Sequence, residues 1–281
     1  GINQSRRRIQ RRKYIICVFF LVILSIILLW QVQPLSNYYN SHHHHYRNGD
    51  EIVDFDLYLL TMRYIPEFCT QHQFEDEYTM ECSRPKDYWK THLMIHGLWP
   101  EYKDGTWPQW CRNKTQSLDH SREEATSLLL SSSLSSTSSI IASSSSLRAK
   151  LKRYWPNLKP PNENNTTIWQ HEWEKHGTCT GLSIQQYLES TLQQGQILME
   201  QTTSLLQMNY GFSMDLQQVQ DIFGQDDVVL ICARQQWLQE IRVCLGRTND
   251  GFPTMERRTC PPKVLESGSC GTVIRLAKFP G

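Results

Sequence analysis

The sequence predicts an α+β domain in which an antiparallel β-sheet with packed helices is stabilised by disulfide bonds. Runs typical of strands and runs typical of helices segregate along the chain instead of alternating regularly, which favours this class over a parallel α/β sheet. Eight of the nine cysteines follow an apolar N-terminal segment, and an even set in a translocated domain indicates a disulfide framework. The 281 residues suffice for one large domain with appendages or for two small domains.

The N-terminus has the pattern of a targeting segment. Residues 1–13 are basic, and residues 14–30 (YIICVFFLVILSIILLW) form an apolar run without a charge. This pair predicts a signal peptide or a signal-anchor transmembrane helix that carries the following chain into the secretory pathway. The run is intermediate in length and QVQPLSN lacks a small-x-small cleavage site, which slightly favours a retained anchor of type II orientation. A buried core helix is the weaker alternative, because no polar face interrupts the run.

A polar segment separates this run from the predicted domain. Residues 31–51 include four histidines, His42–His45, for which a linker or an expression remnant is favoured over a weak metal-binding tract. The domain is predicted to span residues 52–281, because IVDFDLYLLTMRYI, which starts at Ile52, alternates and is rich in β-forming residues. Within it, a serine-rich segment at about residues 127–146 buries too little to order itself and is predicted to be a surface insertion.

Helices and then strands are predicted after the insertion. LRAKLKRYWP forms a short helix that ends at Pro156, and SIQQYLESTLQQGQILMEQTTSLLQ has apolar residues near helical spacing despite Gly195. SMDLQQVQDIFG follows as another helix, with Ser213 as its cap and Gly224 as its stop. The runs DVVLICA, EIRVCLG and TVIRLAKF predict strands.

The charge distribution excludes one class of nucleic-acid-binding protein. The first 30 residues hold six of the 29 Lys and Arg and none of the 28 Asp and Glu, so the rest of the chain carries 23 basic and 28 acidic residues, a net charge of −5. A protein that coats nucleic acid through counterion release needs a basic face, which this body lacks. A small local basic pocket stays compatible with the composition.

Two stretches concentrate the reactive side chains. HLMIHGLWPEY, residues 92–102, places His96 beside a predicted Gly-Leu-Trp-Pro turn, and WQHEWEKHGTC, residues 169–179, adds two histidines, two glutamates and a lysine. A glycine adjoins each of His96 and His176, which suggests exposed backbone at a cleft. Chance clustering, a metal site and a phosphoryl-transfer site are the three alternatives.

The spacing disfavours a metal site. His171 and His176 are five residues apart, about 140° around a helix, whereas i,i+4 zinc ligands lie within about 40° of each other. No C-x-x-C pair occurs either, so a zinc knuckle has little support. We therefore predict no metal ligands and no cofactor.

Acid–base chemistry on a phosphodiester fits the same residues better. His96, His171 and His176 exchange protons near neutral pH, Lys175 carries a fixed positive charge, and Glu172 can orient a partner. One neutral imidazole can remove the proton of a ribose 2′-hydroxyl while a protonated one donates to the leaving 5′ oxygen. Cationic donors stabilise the charge that gathers on the phosphoryl oxygens. Taken singly, any of these histidines could be an ordinary core or surface residue.

Three sequons predict N-glycosylation if the domain is luminal. NKT places an acceptor at Asn113, and NNTT places acceptors at Asn164 and Asn165.

At this point the two stretches resemble a known family. IHGLWP and HEWEKHGTC are similar to the two active-site segments of the ribonuclease T2 family, which includes plant self-incompatibility ribonucleases. The motifs occur in the same order, and the eight body cysteines and the flanking YWPNL also fit. The resemblance spans roughly residues 52–277 apart from the serine-rich segment, and it implies a ribonuclease T2-like fold.

The resemblance also implies roles for the matching residues. His96 would be the general acid and His176 the general base, while His171 would bind phosphate and Glu172 and Lys175 would support the transition state. The implied reaction is metal-independent cleavage of single-stranded RNA through a 2′,3′-cyclic phosphate to 3′-phosphate ends. DNA is excluded for lack of a 2′-hydroxyl.

Base recognition is implied at the end of the first motif. Trp99 matches the family's base-stacking aromatic, and the alternative for it is a core tryptophan at a turn. Glu101 stands where the family usually has an aspartate that helps to hold the first base, and Tyr64 replaces a tryptophan in the first strand. Both departures put base preference in doubt without touching the acid–base set.

The family's cysteine order implies the disulfide pairing. The implied pairs are Cys69–Cys82, Cys111–Cys179, Cys232–Cys270 and Cys244–Cys260. The second pair would hold the two halves of the site in register across the long intervening loop.

The expected partners and location follow from these features. The expected partners are a single-stranded RNA substrate and, if residues 14–30 are not cleaved, the membrane. The catalytic domain is expected to be monomeric. Its expected location is the extracellular space, a lysosome- or vacuole-like compartment or the endoplasmic reticulum lumen. A binding protein on the same scaffold without turnover is the alternative function. Retention of His96, His176 and Lys175 favours the enzyme, because loss of a catalytic histidine is the expected mark of an inactive form.

Overall fold

Two long strands at the centre of an antiparallel sheet organise the domain. The computed structural model describes residues 45–47, 50–52, 54–72, 82, 84–111, 138–158 and 166–280, all within one unit that spans residues 44–281. Strand β3 (Leu57–Arg63) pairs antiparallel with β4 (Met94–Glu101) on one side and with β7 (Trp237–Arg247) on the other. The predicted α+β class is therefore confirmed.

The remaining strands extend the sheet around β7. Strands β6 (Val228–Ala233) and β8 (Pro253–Arg257) pair antiparallel with β7. Strand β9 (Val273–Arg275) joins β7 in parallel at a single residue pair and pairs antiparallel with β5 (Ser213–Asp215). A separate two-stranded ladder, β1 (His45–Arg47) with β2 (Asp50–Ile52), forms within the segment predicted as a linker and at its end.

The helices follow in chain order. They are α1 (Ile65–His72), α2 (Ser138–Tyr154), α3 (Thr166–Lys175), α4 (Ile184–Asn209), α5 (Leu216–Phe223) and α6 (Pro262–Glu266), with short 3-10 helices at Asp87–Lys90 and Gly177–Cys179. Helix α4 begins with a capping box between Ser183 and Gln186, which satisfies two backbone N–H groups at its N-terminus.

The sheet separates a large core from a small one. The large core packs apolar side chains of β3, such as Tyr58, Leu60 and Met62, against helices that include α4. Gly195 of α4 lies over the Ile95 side chain, which explains a glycine in the middle of a long helix: a Cβ there would meet Ile95 Cδ1 at 2.5 Å. The small core lies on the other face, around Leu59 and Val264.

Several boundaries differ from the predictions. The GLWP segment is part of strand β4 and not a turn, because its residues pair with β3. Helix α2 begins at Ser138 and so includes the end of the predicted serine-rich insertion; Ser145 and Ser146 in it are exposed. The C-terminal strand is shorter than TVIRLAKF.

The cap of helix α5 also differs. Asp215 caps the helix and not Ser213, which lies in β5; the Asp215 backbone N–H donates to Gln218 Oε1 at 2.9 Å. The predicted stop at Gly224 is confirmed, since this residue adopts φ +99° at the helix C-terminus, a conformation that L side chains rarely adopt.

All four implied disulfides are present: Cys69–Cys82, Cys111–Cys179, Cys232–Cys270 and Cys244–Cys260. The basic segment 1–13, the apolar segment 14–30, the sequons at Asn113, Asn164 and Asn165 and most of the serine-rich segment lie outside the described residues. Among the helices that the structure describes, none combines the length and hydropathy needed to cross a bilayer.

Candidate active site

His96 occupies a bulge in strand β4. Thr61 of β3 pairs with Gly97 and Met62 pairs with Ile95, so the register passes over His96. The backbone carbonyl of His96 instead accepts a hydrogen bond from Trp155 Nε1 at 3.0 Å. A bulge frees a residue from the ladder and re-aims its side chain, and here it turns the imidazole toward β7 and the cleft.

Two charged side chains contact the His96 ring. Glu240 Oε1 lies 2.7 Å from Nδ1, while Arg63 Nη2 lies 2.9 Å from Nε2 and 3.0 Å from Nδ1. Arg242 holds the other oxygen of Glu240 through Nη2 at 2.7 Å and Nε at 3.1 Å. Burial and the neighbouring Arg63 lower the pKa of His96, while Glu240 opposes this shift. Burial alone would raise the pKa of Glu240, but its bond to His96 and the nearby cations hold it well below its usual range.

Helix α3 positions Glu172 beneath Trp99. Glu172 is buried, and its Oε2 accepts a hydrogen bond from Trp99 Nε1 at 2.8 Å. Burial raises the pKa of Glu172 to about 7, against the lowering effects of the Trp99 bond and of Lys175. Gly97 permits this approach, because a Cβ at that position would collide with both Glu172 Oε2 and Trp99 Nε1.

His176 follows the C-terminus of helix α3 and lies against the face of Trp99. Its backbone N–H donates to Glu172 O at 3.0 Å, and its ring stacks on Trp99 at a centroid distance of 5.2 Å and an interplanar angle of 27°. Nδ1 of His176 is buried and has no hydrogen-bond partner among the described residues. Burial, with the positive charge of Lys175, lowers the pKa of His176 to about 3.

Trp99 therefore contacts both predicted proton-transfer groups. The His96 ring meets it edge-on at a centroid distance of 5.2 Å, the same distance as that of the stacked His176. Arg242 Cζ also lies 5.6 Å from the Trp99 ring centroid. The predicted stacking of Trp99 on a base stays a prediction; its observed contacts hold Glu172 and both histidines.

The segment before Cys111 adds an exposed aromatic next to His171. His171 is exposed, and the Trp110 ring meets it edge-on at 5.8 Å. Trp110 is 48% exposed, adopts φ +56°, and its backbone N–H donates to Lys175 O at 2.8 Å. Cys111, disulfide-bonded to Cys179, then ties this segment to the 3-10 helix after His176.

A cleft of about 410 Å³ opens beside these groups. His96, His171 and Glu172 line it together with Arg63 of β3 and the Pro156–Leu158 segment. Glu101 is not part of this lining. It is buried at the end of β4, where its Oε2 has no hydrogen-bond partner among the described residues and burial raises its pKa to about 8.

Three charged residues of the site were missed by sequence reasoning. Arg63 and Glu240 are cross-strand partners in the β3–β7 register, as are Thr61 and Arg242. One signal was available: Glu240 and Arg242 alternate with the apolar Ile241 and Val243 of β7, which puts two charges on one face. Within the described ranges, no group of three or more His, Cys, Asp or Glu is arranged to hold a metal ion.

Comparison with curated proteins finds ribonucleases. Ribonuclease 1 of Arabidopsis thaliana is 29% identical over 201 residues, which cover 66% of this chain and 73% of that protein. Intracellular ribonuclease LX of Solanum lycopersicum is 37% identical over 98 residues, 35% of this chain and 32% of that protein. The match thus spans about a third of the tomato protein and about three quarters of the Arabidopsis one.

Solved structures share the fold, and a family model covers most of the domain. RNase NT, solved in complex with 5′-AMP, superposes with a TM-score of 0.54 at 21% identity over 80% of this chain and 100% of that chain. An RNase-related protein from Calystegia sepium gives a TM-score of 0.53 at 19% identity over 81% and 99%. The model of the ribonuclease T2 family matches residues 55–256. The chain belongs to the ribonuclease T2 family, whose named relatives here are ribonucleases.

Proposed function

We propose that this chain is an endoribonuclease that cleaves single-stranded RNA by acid–base transphosphorylation. The observation that carries the proposal is the group built around Trp99: its ring contacts the imidazoles of His96 and His176, and its indole N–H donates to the buried Glu172. Two imidazoles held by the same ring can supply the base and the acid for one phosphodiester. The family membership and a relative bound to 5′-AMP support a nucleotide substrate.

In the proposed first step His176 is the base and His96 the acid. The pKa of His176 is lowered to about 3, so its ring is neutral in mild acid and can take the 2′-hydroxyl proton. His96 then protonates the leaving 5′ oxygen, and a 2′,3′-cyclic phosphate forms. In the second step the roles reverse: water attacks the cyclic phosphate and leaves a 3′-phosphate end. The substrate supplies its own nucleophile, so the scheme requires no metal ion.

The remaining groups contact the phosphoryl oxygens in this proposal. His171 is exposed on the wall of the cleft and accounts for phosphate binding. The pKa of Glu172 is raised to about 7, so its carboxyl is protonated in acid and has a proton to donate while Oε2 stays bonded to Trp99. Lys175 supplies the cationic charge that favours the transition state.

The test is a cleavage assay on single-stranded RNA in the presence of a chelator, with the matched 2′-deoxy oligonucleotide as control. We expect wild type to cleave the RNA and not the 2′-deoxy oligonucleotide, and cyclic phosphate ends to accumulate early. In His96→Ala and in His176→Ala we expect kcat to fall at least about a hundredfold. Undiminished cutting by either variant, or direct formation of 5′-phosphate ends, contradicts the assignment. RNA binding without turnover by wild type identifies a non-catalytic scaffold protein.

We also propose that the domain acts in the secretory pathway. Four disulfides support an oxidising compartment, and the apolar segment 14–30 supports translocation. N-terminal sequencing of the mature protein distinguishes a retained type II anchor from a cleaved signal peptide. A glycosidase-induced mass shift that Asn113→Gln reduces tests the sequon there; a protein that stays reduced and unglycosylated contradicts the location.

A further inference from the structure

Both ring nitrogens of His96 are engaged in the free protein. Glu240 Oε1 lies 2.7 Å from Nδ1, and Arg63 Nη2 lies 2.9 Å from Nε2. The same Arg63 nitrogen is 3.0 Å from Nδ1 and 3.4 Å from Glu240 Oε1. One guanidinium nitrogen thus reaches both the ring and the carboxylate that holds it.

The chemistry of these groups assigns the protons on the ring. An ionised carboxylate only accepts hydrogen bonds, so Nδ1 of His96 carries the proton that bonds to Glu240. Arg63 Nη2 lies almost equally far from the two ring nitrogens, and with Nδ1 protonated only Nε2 has a lone pair that this donor can meet. The Glu240 bond therefore selects the tautomer, in which Nε2 is the nitrogen left for chemistry.

Glu240 is itself fixed, which makes it a rigid reference for the ring. Its second oxygen accepts two hydrogen bonds from Arg242, at 2.7 and 3.1 Å, and both residues lie on strand β7. Two donors of one planar guanidinium on a single carboxylate oxygen restrain its direction as well as its distance. The Arg63 guanidinium also packs over the Phe68 ring, with Cζ 5.2 Å from the ring centroid.

Arg63 is placed to meet a substrate phosphate. It lines the same cleft as His96, His171 and Glu172, and its side chain is 21% exposed. A phosphate that approaches Nε2 of His96 must therefore pass within reach of the Arg63 donors. Arginine favours phosphate oxygens strongly over a neutral imidazole nitrogen, because the first bond is charge-assisted at both ends.

We propose that Glu240 and Arg63 are a pair of positioning residues for His96: Glu240 fixes the ring through Nδ1, and Arg63 occupies Nε2 until the substrate phosphate draws it away. This rests on the proposed function, in which His96 Nε2 delivers a proton to the leaving oxygen. Once Arg63 bonds to the phosphate, Nε2 takes a proton from solvent and gives it to the 5′ oxygen. Arg63 then stays on the phosphoryl group, where it opposes the developing negative charge.

The charged and titratable groups that face His96 lie on three elements of the fold. They are Arg63 on β3, Glu240 and Arg242 on β7, and His171, Glu172, Lys175 and His176 on or beside α3. Of these, Arg63 and Arg242 disfavour a positive His96 and Glu240 favours it. Removal of Arg63 and removal of Glu240 should therefore act in opposite directions on one observable.

The first experiment records kcat/KM against pH for RNA cleavage by the full chain. Activity is lost above the pKa of the acid, so His96 governs the alkaline limb of the profile. We expect Arg63→Gln to move that limb up by about one pH unit and to raise KM, and Glu240→Gln to move it down by a similar amount with at least about a tenfold loss of kcat. Arg63→Lys should restore the wild-type limb.

Arg247→Gln is the matched control. Arg247 is another arginine of strand β7, but its ion pair is with Asp54 at 2.6 Å. We expect the alkaline limb of the kcat/KM profile of Arg247→Gln to lie at the same pH as that of wild type. The proposal is overturned if the alkaline limb stays at the wild-type pH in Arg63→Gln and Glu240→Gln, or if it moves in the same direction in both. A fall in activity without a shift of the limb would not rescue it, because a purely structural role produces that result.

A second experiment does not depend on turnover. The proton NMR titration of the His96 ring should show a raised pKa in Arg63→Gln and a lowered pKa in Glu240→Gln, with Glu240→Asp between wild type and Glu240→Gln. If wild type fails to cleave RNA while these shifts occur, the proposed function is wrong and the pairing stands. If wild type cleaves RNA and the His96 titration is the same in all variants, the pairing is wrong and the function stands.

Discussion

Trp99 contacts three of the residues to which we assign catalytic roles. Its ring contacts both His96 and His176, and its indole N–H donates to Glu172. The residue is only partly buried, so part of the ring is still open to a ligand. Its structural contribution to the site and the predicted stacking on a base can therefore be separated by a substitution that keeps an aromatic ring.

We expect Trp99→Phe to lower the free energy of unfolding by about 1–3 kcal/mol, because a buried carboxylate oxygen loses its donor. The pKa of Glu172 should rise further, since the Trp99 bond lowers it. Denaturant unfolding at neutral pH measures the first effect. Trp110→Phe is the control, because that indole is 48% exposed; equal stability of the two variants would contradict the role of the Trp99–Glu172 bond.

Glu101 makes the stability of the domain depend on pH. Its folded-state pKa is raised to about 8 from an ordinary 4.5, because the side chain is buried. The folded state therefore binds a proton that the unfolded state has lost above pH 4.5. The stability associated with the protonated carboxyl is fully present below pH 4.5 and is lost as the pH rises through 8.

Glu101→Gln removes this titration. Between pH 4.5 and 8 we expect the unfolding free energy of wild type to fall by on the order of 2–4 kcal/mol more than that of the variant. Denaturant titrations at the two pH values measure the difference. Glu256→Gln is the control, because this carboxylate is exposed and paired with Arg258, and its unfolding free energy should change with pH as that of wild type does. The same pH dependence in wild type and Glu101→Gln would show that Glu101 ionises freely.

At the scale of elements, one bulged strand and one helix end bring the site together. Strand β4 carries His96 and Trp99, and helix α3 carries Glu172 and presents His176 just beyond its last residue. The Cys111–Cys179 disulfide joins the segment after β4 to the segment after α3 across 68 residues. It therefore restrains the relative placement of the two halves of the site.

Replacement of both Cys111 and Cys179 by Ser should cost about 4 kcal/mol of stability, since the closed loop is long. We also expect kcat to fall about tenfold well below the unfolding temperature, because the His176 segment loses its restraint. The control replaces Cys69 and Cys82 by Ser, whose disulfide closes a shorter loop with a sequence separation of 13. This double variant should lose about 3 kcal/mol of stability and keep its kcat. Equal kcat in both double variants would show that the Cys111–Cys179 disulfide contributes to stability alone.

At the scale of the whole molecule, charge is concentrated locally. The chain beyond residue 30 carries a net charge of −5, yet Arg63 and His171 line the cleft and Lys175 lies close enough to lower the pKa of Glu172 there. We therefore expect RNA to be bound through a few local phosphate contacts and not through an extended basic track. The dependence of activity on salt should therefore be shallow.

We expect log kcat/KM to fall against log salt with a slope of about −1 to −2, given about 0.7 per phosphate contacted on a single strand. Lys175→Gln should reduce the slope by about 0.7. Steady-state kinetics between low and moderate salt measure both values. A slope of about −5 or steeper would reveal a basic binding track that the described residues do not supply.

Features that depend on local order could be predicted from the sequence. The two histidine-bearing motifs, the eight cysteines and the periodicity of helix α4 are each legible within a short window, and they predicted the α+β class and the family. The predicted set His96, Glu172, Lys175 and His176 lies in two such windows, and ring and hydrogen-bond contacts through Trp99 connect His96 with Glu172 and His176.

The distant residues that contact His96 became visible in the folded chain alone. Arg63 and Glu240 are 177 positions apart and meet through the register of β3 on β7, while the bulge at His96 depends on how β4 pairs with β3. Register and bulges are set by the packing of whole strands and helices, so no local pattern encodes them. For the same reason the GLWP segment looked like a turn in the sequence and is a strand in the fold.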